Sequence, residues 1–134
     1  MIQGVDHIAI AVSDMNASLA FYVGILKMRP VDSRSLESSF YWLNFGAGQT
    51  LNLCFNPEAT PKFKGEVLDW NKTAHLAFAA PEAFVDEVEA ELEKIDAVYK
   101  RSGSSLYFTD PDTNFLELTY WREKRLQASG AKHW

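Results

Sequence analysis

The 134-residue sequence has one cysteine, Cys54, so the chain can form no internal disulfide. Proteins of oxidising compartments commonly carry paired cysteines, and their absence favours a reducing compartment. No apolar run approaches the roughly 20 residues of a membrane-spanning helix, and the first residues lack the basic-then-apolar order of a signal peptide. We therefore expect a cytoplasmic protein with no membrane partner.

Basic residues are also scarce in this chain. Lys and Arg number 13 against 18 Asp and Glu, which gives a net charge of −5 at pH 7. Nucleic acids attract clustered positive charge, so we expect no nucleic-acid partner. A small-molecule substrate remains compatible, because a local site can differ in charge from the whole surface. The hydrophobic content of 47% is typical of a globular protein, and the length fits a single domain at 1–134.

The chain contains an internal repeat. The segment HIAIA at 7–11 matches HLAFA at 75–79, and LNLCF at 51–55 matches LELTY at 116–120. In each half an alternating strand pattern comes first, a helical pattern follows, and short strands come after it. The sequence therefore predicts an α+β fold of two βαβββ modules related by a pseudo-two-fold axis. The predicted parts are module one at 1–56, a connector at 57–72, module two at 73–121 and a C-terminal tail at 122–134.

Helical spacing and capping residues mark the two predicted helices. Ser13 or Asp14 can cap the first helix, and Pro81 is expected at the first helical position of the second. The apolar stripes expected to be buried are Met15, Leu19, Tyr22 and Leu26 in the first helix, and Phe84, Val88, Leu92 and Ile95 in the second. These stripes would cover one side of the sheet in each module.

The segment at 105–120, SLYFTDPDTNFLELTY, places one acidic side chain in a strand that is otherwise apolar. The DPDTN run at 110–114 favours a tight turn, because Pro fixes φ and Asp and Asn side chains bond their own backbone. By the period-two rule Leu116 and Leu118 share one face of the second strand, and Glu117 lies on the other. A buried carboxylate without a partner costs several kcal/mol, so Glu117 needs one.

The repeat supplies a partner set for Glu117. The pseudo-two-fold axis would bring four polar side chains to equivalent positions on the faces opposite the helices: His7, His75, Asn52 and Glu117. Two neutral imidazoles and a carboxylate are a ligand set for Fe2+, Mn2+, Ni2+, Co2+ or Zn2+, with positions left open for water or substrate. Ala9 and Ala77, near the two histidines, would leave room for a bound ligand. We therefore predict that His7, His75 and Glu117 bind a divalent metal cofactor.

Further side chains are expected to line the same cavity. Trp42 and Tyr107 fall at repeat-equivalent positions on the inner face and could form its walls. The hydroxyl of Tyr107 could act as an acid or base, contact substrate, or only complete the wall, and with Glu117 it is the candidate for a catalytic role. Asn52 is expected to form hydrogen bonds rather than bind the metal directly. Cys54, on the same face, is expected to be a buried inert thiol.

Three motifs together give the chain a resemblance to a known family. They are DHIAIAVSDMNASLAFYVGILKM at 6–28, the histidine of TAHLAF at 73–78 and YFTDPDTNFLEL at 107–118. With these motifs the chain resembles the vicinal oxygen chelate superfamily, also called the glyoxalase/bleomycin-resistance/dioxygenase fold, over 5–120. The resemblance implies a curved mixed sheet around a cavity and a homodimer. It also implies metal ligands at His7, His75 and Glu117.

The same resemblance implies an enzyme acting on a small substrate that chelates the metal through adjacent oxygens. The family's reactions include extradiol ring cleavage, isomerisation or epimerisation, and thiol or water addition to an epoxide. Members similar to glyoxalase I use a fourth Glu or Gln ligand where this chain has Asn52, which favours dioxygenase-like or epoxide-opening chemistry. The fosfomycin-resistance members carry a Thr at the position of Ala9 and a basic cluster for phosphonate, which argues against fosfomycin as the substrate.

Other functions stay open at this point. One alternative is a metal-free protein that binds and sequesters a small ligand, as in the bleomycin-resistance members, and another is a glyoxalase I-like lyase or isomerase. A decayed enzyme retained as a subunit is a third. The bleomycin-resistance members lack the ligand triad, so His7, His75 and Glu117 favour a metal-dependent enzyme.

Overall fold

The computed structural model describes residues 1–31, 39–46, 48–59 and 74–129. The chain divides into two compact units, Met1–Thr60 and Pro61–Trp134. Each unit carries one four-stranded mixed sheet with helices, so the architecture is α+β, as the repeat predicts. Most of the predicted connector at 57–72 and the end of the predicted tail lie outside the described residues. The grouping of both units into a single domain stays a prediction.

The first unit is a strand followed by a helix and three further strands. Its elements are β1 (His7–Val12), α1 (Met15–Leu19), a π-helical segment (Ala20–Ile25), β2 (Arg29–Pro30), β3 (Phe40–Gly46) and β4 (Gln49–Phe55). The strand order is β1-β4-β3-β2, with β1 parallel to β4 and the other pairs antiparallel. Because side chains alternate along β1, Val12 is buried whereas His7 and Ala9 are exposed.

The first helix changes geometry along its length. Asp14 caps α1, as predicted, and its side chain accepts a hydrogen bond from the Ala17 backbone N–H at 3.0 Å. The chain then continues as the π-helical segment, which buries both Phe21 and Tyr22. Of the predicted stripe, Met15, Tyr22 and Leu26 are buried and Leu19 is half-buried, which confirms the stripe. The change to π-helical geometry adds the burial of Phe21, which a regular 3.6-residue period does not place on the same face as Tyr22.

The second unit repeats the same order of elements. They are β5 (Leu76–Ala79), α2 (Glu82–Lys94), β6 (Tyr99–Ser102), β7 (Ser105–Thr109), β8 (Phe115–Thr119) and α3 (Trp121–Ser129). The strand order is β5-β8-β7-β6, with β5 parallel to β8 and the other pairs antiparallel. The helix α3 occupies the part of the chain that the sequence analysis assigns mainly to a tail.

The helix α2 differs in detail from its prediction. Its buried side chains are Val85, Val88 and Leu92. Pro81 is the N-cap rather than the first helical residue. Phe84 is half-buried, and Ile95 is 57% exposed because the helix ends one residue before it. Among the residues that the structure describes, no helix is long and apolar enough to cross a membrane.

The strands β7 and β8 form the predicted hairpin, and a buried aspartate holds its turn. Asp110 is 4% exposed. Its carboxylate accepts hydrogen bonds from the backbone N–H groups of Asp112 and Asn114 at 2.9 and 2.8 Å, and from the side-chain amide of Asn114 at 2.8 Å. These bonds replace the backbone partners that the turn lacks, and so they fix the register of the two strands.

The register of the two sheets confirms the internal repeat. In the first unit the aligned Cα positions are Ala9, Asn52 and Trp42; in the second they are Ala77, Glu117 and Tyr107. Asn52 and Glu117 therefore occupy equivalent positions, each with an alanine on one side and an aromatic residue on the other. The paired βαβββ arrangement predicted from the sequence is present in the structure.

Candidate functional site

Glu117 lies in the middle of β8, the second strand in the order of its sheet. Its Cα partners are Ala77 on β5 and Tyr107 on β7. Register partners share one face of a sheet, so Glu117 has a small neighbour on one side and an aromatic neighbour on the other. The Glu117 side chain is only 12% exposed, and the carboxylate therefore needs the partner that the sequence analysis requires.

His75 is the partner of Glu117 within this unit. It directly precedes β5, and its Nε2 lies 2.9 Å from Oε2 of Glu117. The imidazole packs against the ring of Phe115, with centroids 5.0 Å apart, and edge-on against Tyr107, with centroids 6.0 Å apart. The two aromatic contacts restrict the orientation of the imidazole while Nε2 faces the carboxylate.

The second oxygen of Glu117 has a partner of its own. The hydroxyl of Ser105, the first residue of β7, donates a hydrogen bond to Oε1 at 2.6 Å. Ser105 is 8% exposed. Ser105 is not among the site residues predicted from the sequence, although its spacing of two residues from Tyr107 is a signal that both share the face of Glu117.

Tyr107 presents a protonated hydroxyl on this face. Burial raises the pKa of the phenol and the hydrogen bond with Ser105 lowers it. The negative charge of Glu117 and a hydrogen bond with its carboxylate raise it again, and the net result is a raised pKa. A phenol with a pKa above its usual value of 10.0 is neutral at pH 7. Tyr107 can therefore act as a hydrogen-bond donor near Glu117.

His75 and Glu117 fit a divalent metal ion as two adjacent ligands. Two ligand atoms that bind one ion at right angles, each about 2.1 Å from it, lie about 3.0 Å apart. The observed separation of 2.9 Å agrees with this spacing. Nε2 of His75 and Oε2 of Glu117 lie at hydrogen-bond distance, so the proton between them has to leave before both atoms can bind one ion. An imidazole nitrogen and a carboxylate oxygen suit Fe2+, Mn2+, Ni2+, Co2+ and Zn2+.

His7 begins β1 in the first unit. Its side chain is 51% exposed, and Nδ1 lies 2.7 Å from Oδ1 of Asp6. A carboxylate at Nδ1 favours the tautomer with the proton on that nitrogen, which leaves the lone pair on Nε2. In that tautomer Nε2 is the nitrogen of His7 that could bind a metal ion.

Asn52 lies in the middle of β4 and is 8% exposed. The hydroxyl of Thr50 donates a hydrogen bond to Oδ1 of Asn52 at 2.9 Å. Ala9 and Trp42 flank Asn52 on the same face, and Trp42 is 38% exposed. Cys54 is half-buried rather than buried as expected, and its Sγ lies 4.0 Å from the backbone carbonyl oxygen of Asn52.

The structure groups the predicted site residues by unit. In the second unit it brings together His75, Ala77, Tyr107 and Glu117. In the first unit Ala9, Trp42, Asn52 and Cys54 share one face with His7. Within 1–31, 39–46, 48–59 and 74–129, no group of three or more His, Cys, Asp or Glu side chains is arranged to hold a metal ion. The three-residue ligand set stays a prediction.

Comparison with known families identifies the fold. A sequence model of the Glyoxalase/Bleomycin resistance protein/Dioxygenase superfamily matches residues 4–118. This chain belongs to that superfamily. The matched region of this glyoxalase-superfamily protein includes all the predicted site residues and both βαβββ repeats except the last residue of β8.

Two relatives are similar to this glyoxalase-superfamily protein at 26% identity. The metallothiol transferase FosB of Shouchella clausii matches in an alignment of 126 residues, gaps included, that covers 88% of this chain and 80% of the relative. The crystal structure of FosX, a genomically encoded fosfomycin resistance protein from Listeria monocytogenes, matches with a TM-score of 0.67 and covers 93% of this chain and 99% of that one.

A third protein with a similar fold is named for an activity other than fosfomycin resistance. The structure of a glyoxalase/dioxygenase from Nostoc punctiforme has a TM-score of 0.70 and 23% identity. The match covers 87% of this chain and 89% of that one. The superfamily fold is therefore common to relatives with different named activities, and the activity has to be argued from the site.

Proposed function

We propose that this protein is a divalent-metal-dependent enzyme that acts on a small substrate bound through its oxygens. The contact between His75 and Glu117 carries the proposal, because it places one nitrogen and one carboxylate oxygen 2.9 Å apart on a half-buried sheet face. His7, the repeat equivalent of His75, is the proposed third ligand. The proposed ion is Fe2+, Mn2+, Ni2+, Co2+ or Zn2+.

The residues around these ligands suit a bound substrate. A divalent ion held there would stabilise negative charge that develops on the substrate's oxygens. Tyr107 offers a neutral hydroxyl that can donate a hydrogen bond to such an oxygen. Ala77, in register with Glu117, leaves space beside the carboxylate. Trp42 and Asn52 provide an aromatic wall and an amide for the remainder of the substrate.

The reaction that we propose is the addition of a thiol or of water to a small epoxide. The names of two relatives support it, one a metallothiol transferase and the other a fosfomycin resistance protein. Asn52 supports it as well, because its side chain is one methylene shorter than the Glu or Gln that serves as the fourth ligand in glyoxalase I-like members. Its Oδ1 already accepts a hydrogen bond from Thr50, and its nitrogen carries only donors.

We also propose that the protein works in the cytoplasm as a homodimer. The single cysteine supports a reducing compartment. The resemblance to superfamily members supports the dimer, and closed two-fold dimers are the commonest protein oligomers.

The first test is the metal content of protein purified without chelator. We expect a first-row divalent metal at a substantial fraction of an equivalent by elemental analysis, or its restoration by added Fe2+, Mn2+ or Ni2+. Activity should then be assayed against epoxides, including fosfomycin, with a thiol or water, and against catechols and hemithioacetals. Less than about a tenth of an equivalent, not restored by any of these ions, contradicts the proposal.

Two variants make this test specific to the site. Glu117→Gln keeps the size of the side chain but removes the anionic ligand, so both metal content and activity should fall by at least about 10-fold. Glu82→Gln removes an acidic side chain from the exposed first turn of α2 and should change neither. Unchanged ligand binding by Glu117→Gln without bound metal would instead support a sequestering protein.

A further inference from the structure

We infer that Ser105 is a positioning residue that limits Glu117 to a single oxygen for metal binding. Ser105 holds Oε1 of Glu117, whereas Oε2 faces His75. The inference rests on the proposed metal site, and it adds the way in which the carboxylate would bind there.

The bond from Ser105 to Glu117 has the length of a strong hydrogen bond. Hydroxyl donors to a carboxylate typically lie about 2.5–2.7 Å from the acceptor oxygen. The separation of Oγ and Oε1 is 2.6 Å. Ser105 is also largely buried, at 8% exposure, so little water is available to compete for its proton. Because a carboxylate oxygen can only accept, the hydroxyl of Ser105 is the donor in this bond.

A second hydroxyl fixes the direction in which Ser105 donates. Oγ of Ser105 lies 3.0 Å from Oγ1 of Thr119. A hydroxyl carries one proton, so while Ser105 donates to Glu117 it is Thr119 that supplies the proton of this second bond. Oγ1 of Thr119 in turn accepts a hydrogen bond from the backbone N–H of Trp121 at 3.1 Å. With Ser105 donating to Glu117, the bonds run in one direction from Trp121 through Thr119 and Ser105 to the carboxylate.

This chain of hydrogen bonds is anchored in regular structure at each step. Ser105 and Thr119 are register partners on β7 and β8. Trp121 is the first residue of α3, and N–H groups in the first turn of a helix have no partner inside the helix. The backbone N–H of Trp121 is such a group, and it donates its hydrogen bond to the side chain of Thr119. The Ser105 hydroxyl is therefore connected, through the side chain of Thr119, to the backbone at the start of α3.

The consequence for metal binding concerns the number of open positions. A carboxylate can bind a metal ion through one oxygen or through both. A substrate that chelates through two adjacent oxygens needs two neighbouring coordination positions on the metal ion. A carboxylate bound through both oxygens would fill two positions, whereas one bound through a single oxygen fills only one. By holding Oε1, Ser105 keeps that position available for the substrate.

The test compares Mn2+ binding by three serine variants of the full chain. Mn2+ affinity is measured by calorimetry, and the mode of carboxylate binding by infrared difference spectra of the carboxylate bands. We expect Ser105→Ala to lower the affinity about 10-fold and to shift the bands toward two-oxygen binding. Ser105→Thr, which keeps the hydroxyl, should restore both within about 3-fold. Ser102→Ala, on the exposed register partner of Ser105, should match wild type.

The outcomes separate this inference from the proposed function. Wild-type protein that binds Mn2+, with Ser105→Ala unchanged in both affinity and carboxylate bands, overturns the inference and leaves the metal site intact. Wild-type protein that binds no Mn2+ contradicts the metal site and the inference with it. If Ser105→Ala does not fold, Thr119→Val tests the same chain of bonds. It should weaken Mn2+ binding about 3-fold, Thr119→Ser should restore it, and an unchanged Thr119→Val overturns the inference.

Discussion

At the residue scale, the two units differ most where one has Asn52 and the other Glu117. Both residues lie in the middle of equivalent strands and are largely buried, Asn52 at 8% and the Glu117 side chain at 12% exposure. A hydroxyl from Thr50 bonds the amide oxygen, whereas the carboxylate is paired with both His75 and Ser105. A buried carboxylate requires more partners than a buried amide because its desolvation costs more.

This difference predicts the behaviour of Asn52→Glu. Without metal, a second buried carboxylate should lower the free energy of unfolding by about 2–3 kcal/mol. If Asn52 belongs to the proposed metal site, Mn2+ should stabilise this variant more than it stabilises wild type. Thermal unfolding with and without Mn2+ measures both effects. Asn52→Gln, which adds length without charge, is the control, and an equal Mn2+ shift in Asn52→Glu and wild type contradicts the prediction.

At the scale of elements, Arg101 ties the edge strand β6 to the helix α2. Its guanidinium lies 3.0 Å from Oδ1 of Asp86 and 2.9 Å from Oε2 of Glu89. Its Nε donates a hydrogen bond to the carbonyl of Gly103 at 3.1 Å, and the group stands 5.8 Å from the ring centroid of Tyr120. The Arg101 side chain is 24% exposed, so water screens these interactions less than it screens a surface ion pair.

Loss of this connection should destabilise the second unit. Arg101→Met keeps the aliphatic part of the side chain but removes the charged hydrogen bonds, so we expect a loss of about 1–2 kcal/mol in the free energy of unfolding. Urea unfolding followed by circular dichroism gives the value. Lys100→Met, at the exposed neighbouring position of β6, is the matched control and should change stability by less than about 0.5 kcal/mol. Equal effects in both variants would show that the pairing with α2 contributes little.

At the scale of the whole molecule, the two units have the same arrangement of strands but different side chains at equivalent positions. Both units pair their first and last strands in parallel and follow the same strand order. The proposed ligands are divided between the units, with His7 in the first and with His75 and Glu117 in the second. The side-chain chemistry, rather than the strand topology, distinguishes the two units.

The proposed homodimer predicts a mass in solution. Sedimentation equilibrium should give about twice the chain mass of 15.2 kDa. The variant His7→Ala should have the same mass, because the removal of one imidazole is not expected to break a subunit interface. A single species at the mass of one chain, over the whole accessible concentration range, contradicts the dimer.

The sequence predicted the features that depend on local patterns. Alternation with period two marked β1, β5 and β8, and the repeated HIAIA and HLAFA segments revealed the two βαβββ units. The DPDTN run predicted the hairpin turn, whose bonds involve residues no more than four apart. Such features can be read from the chain because neighbouring residues determine them.

Other features required the tertiary structure because they join residues that are distant along the chain. The contact of His75 with Glu117 spans 42 residues, and its geometry depends on the register of β5 against β8. The bond from Ser105 to Glu117 spans 12 residues and depends on the register of β7 against β8. The sequence by itself therefore determined the repeat and the types of the candidate ligands. The tertiary structure decided which oxygen of Glu117 each partner holds, because only the paired strands fix those distances.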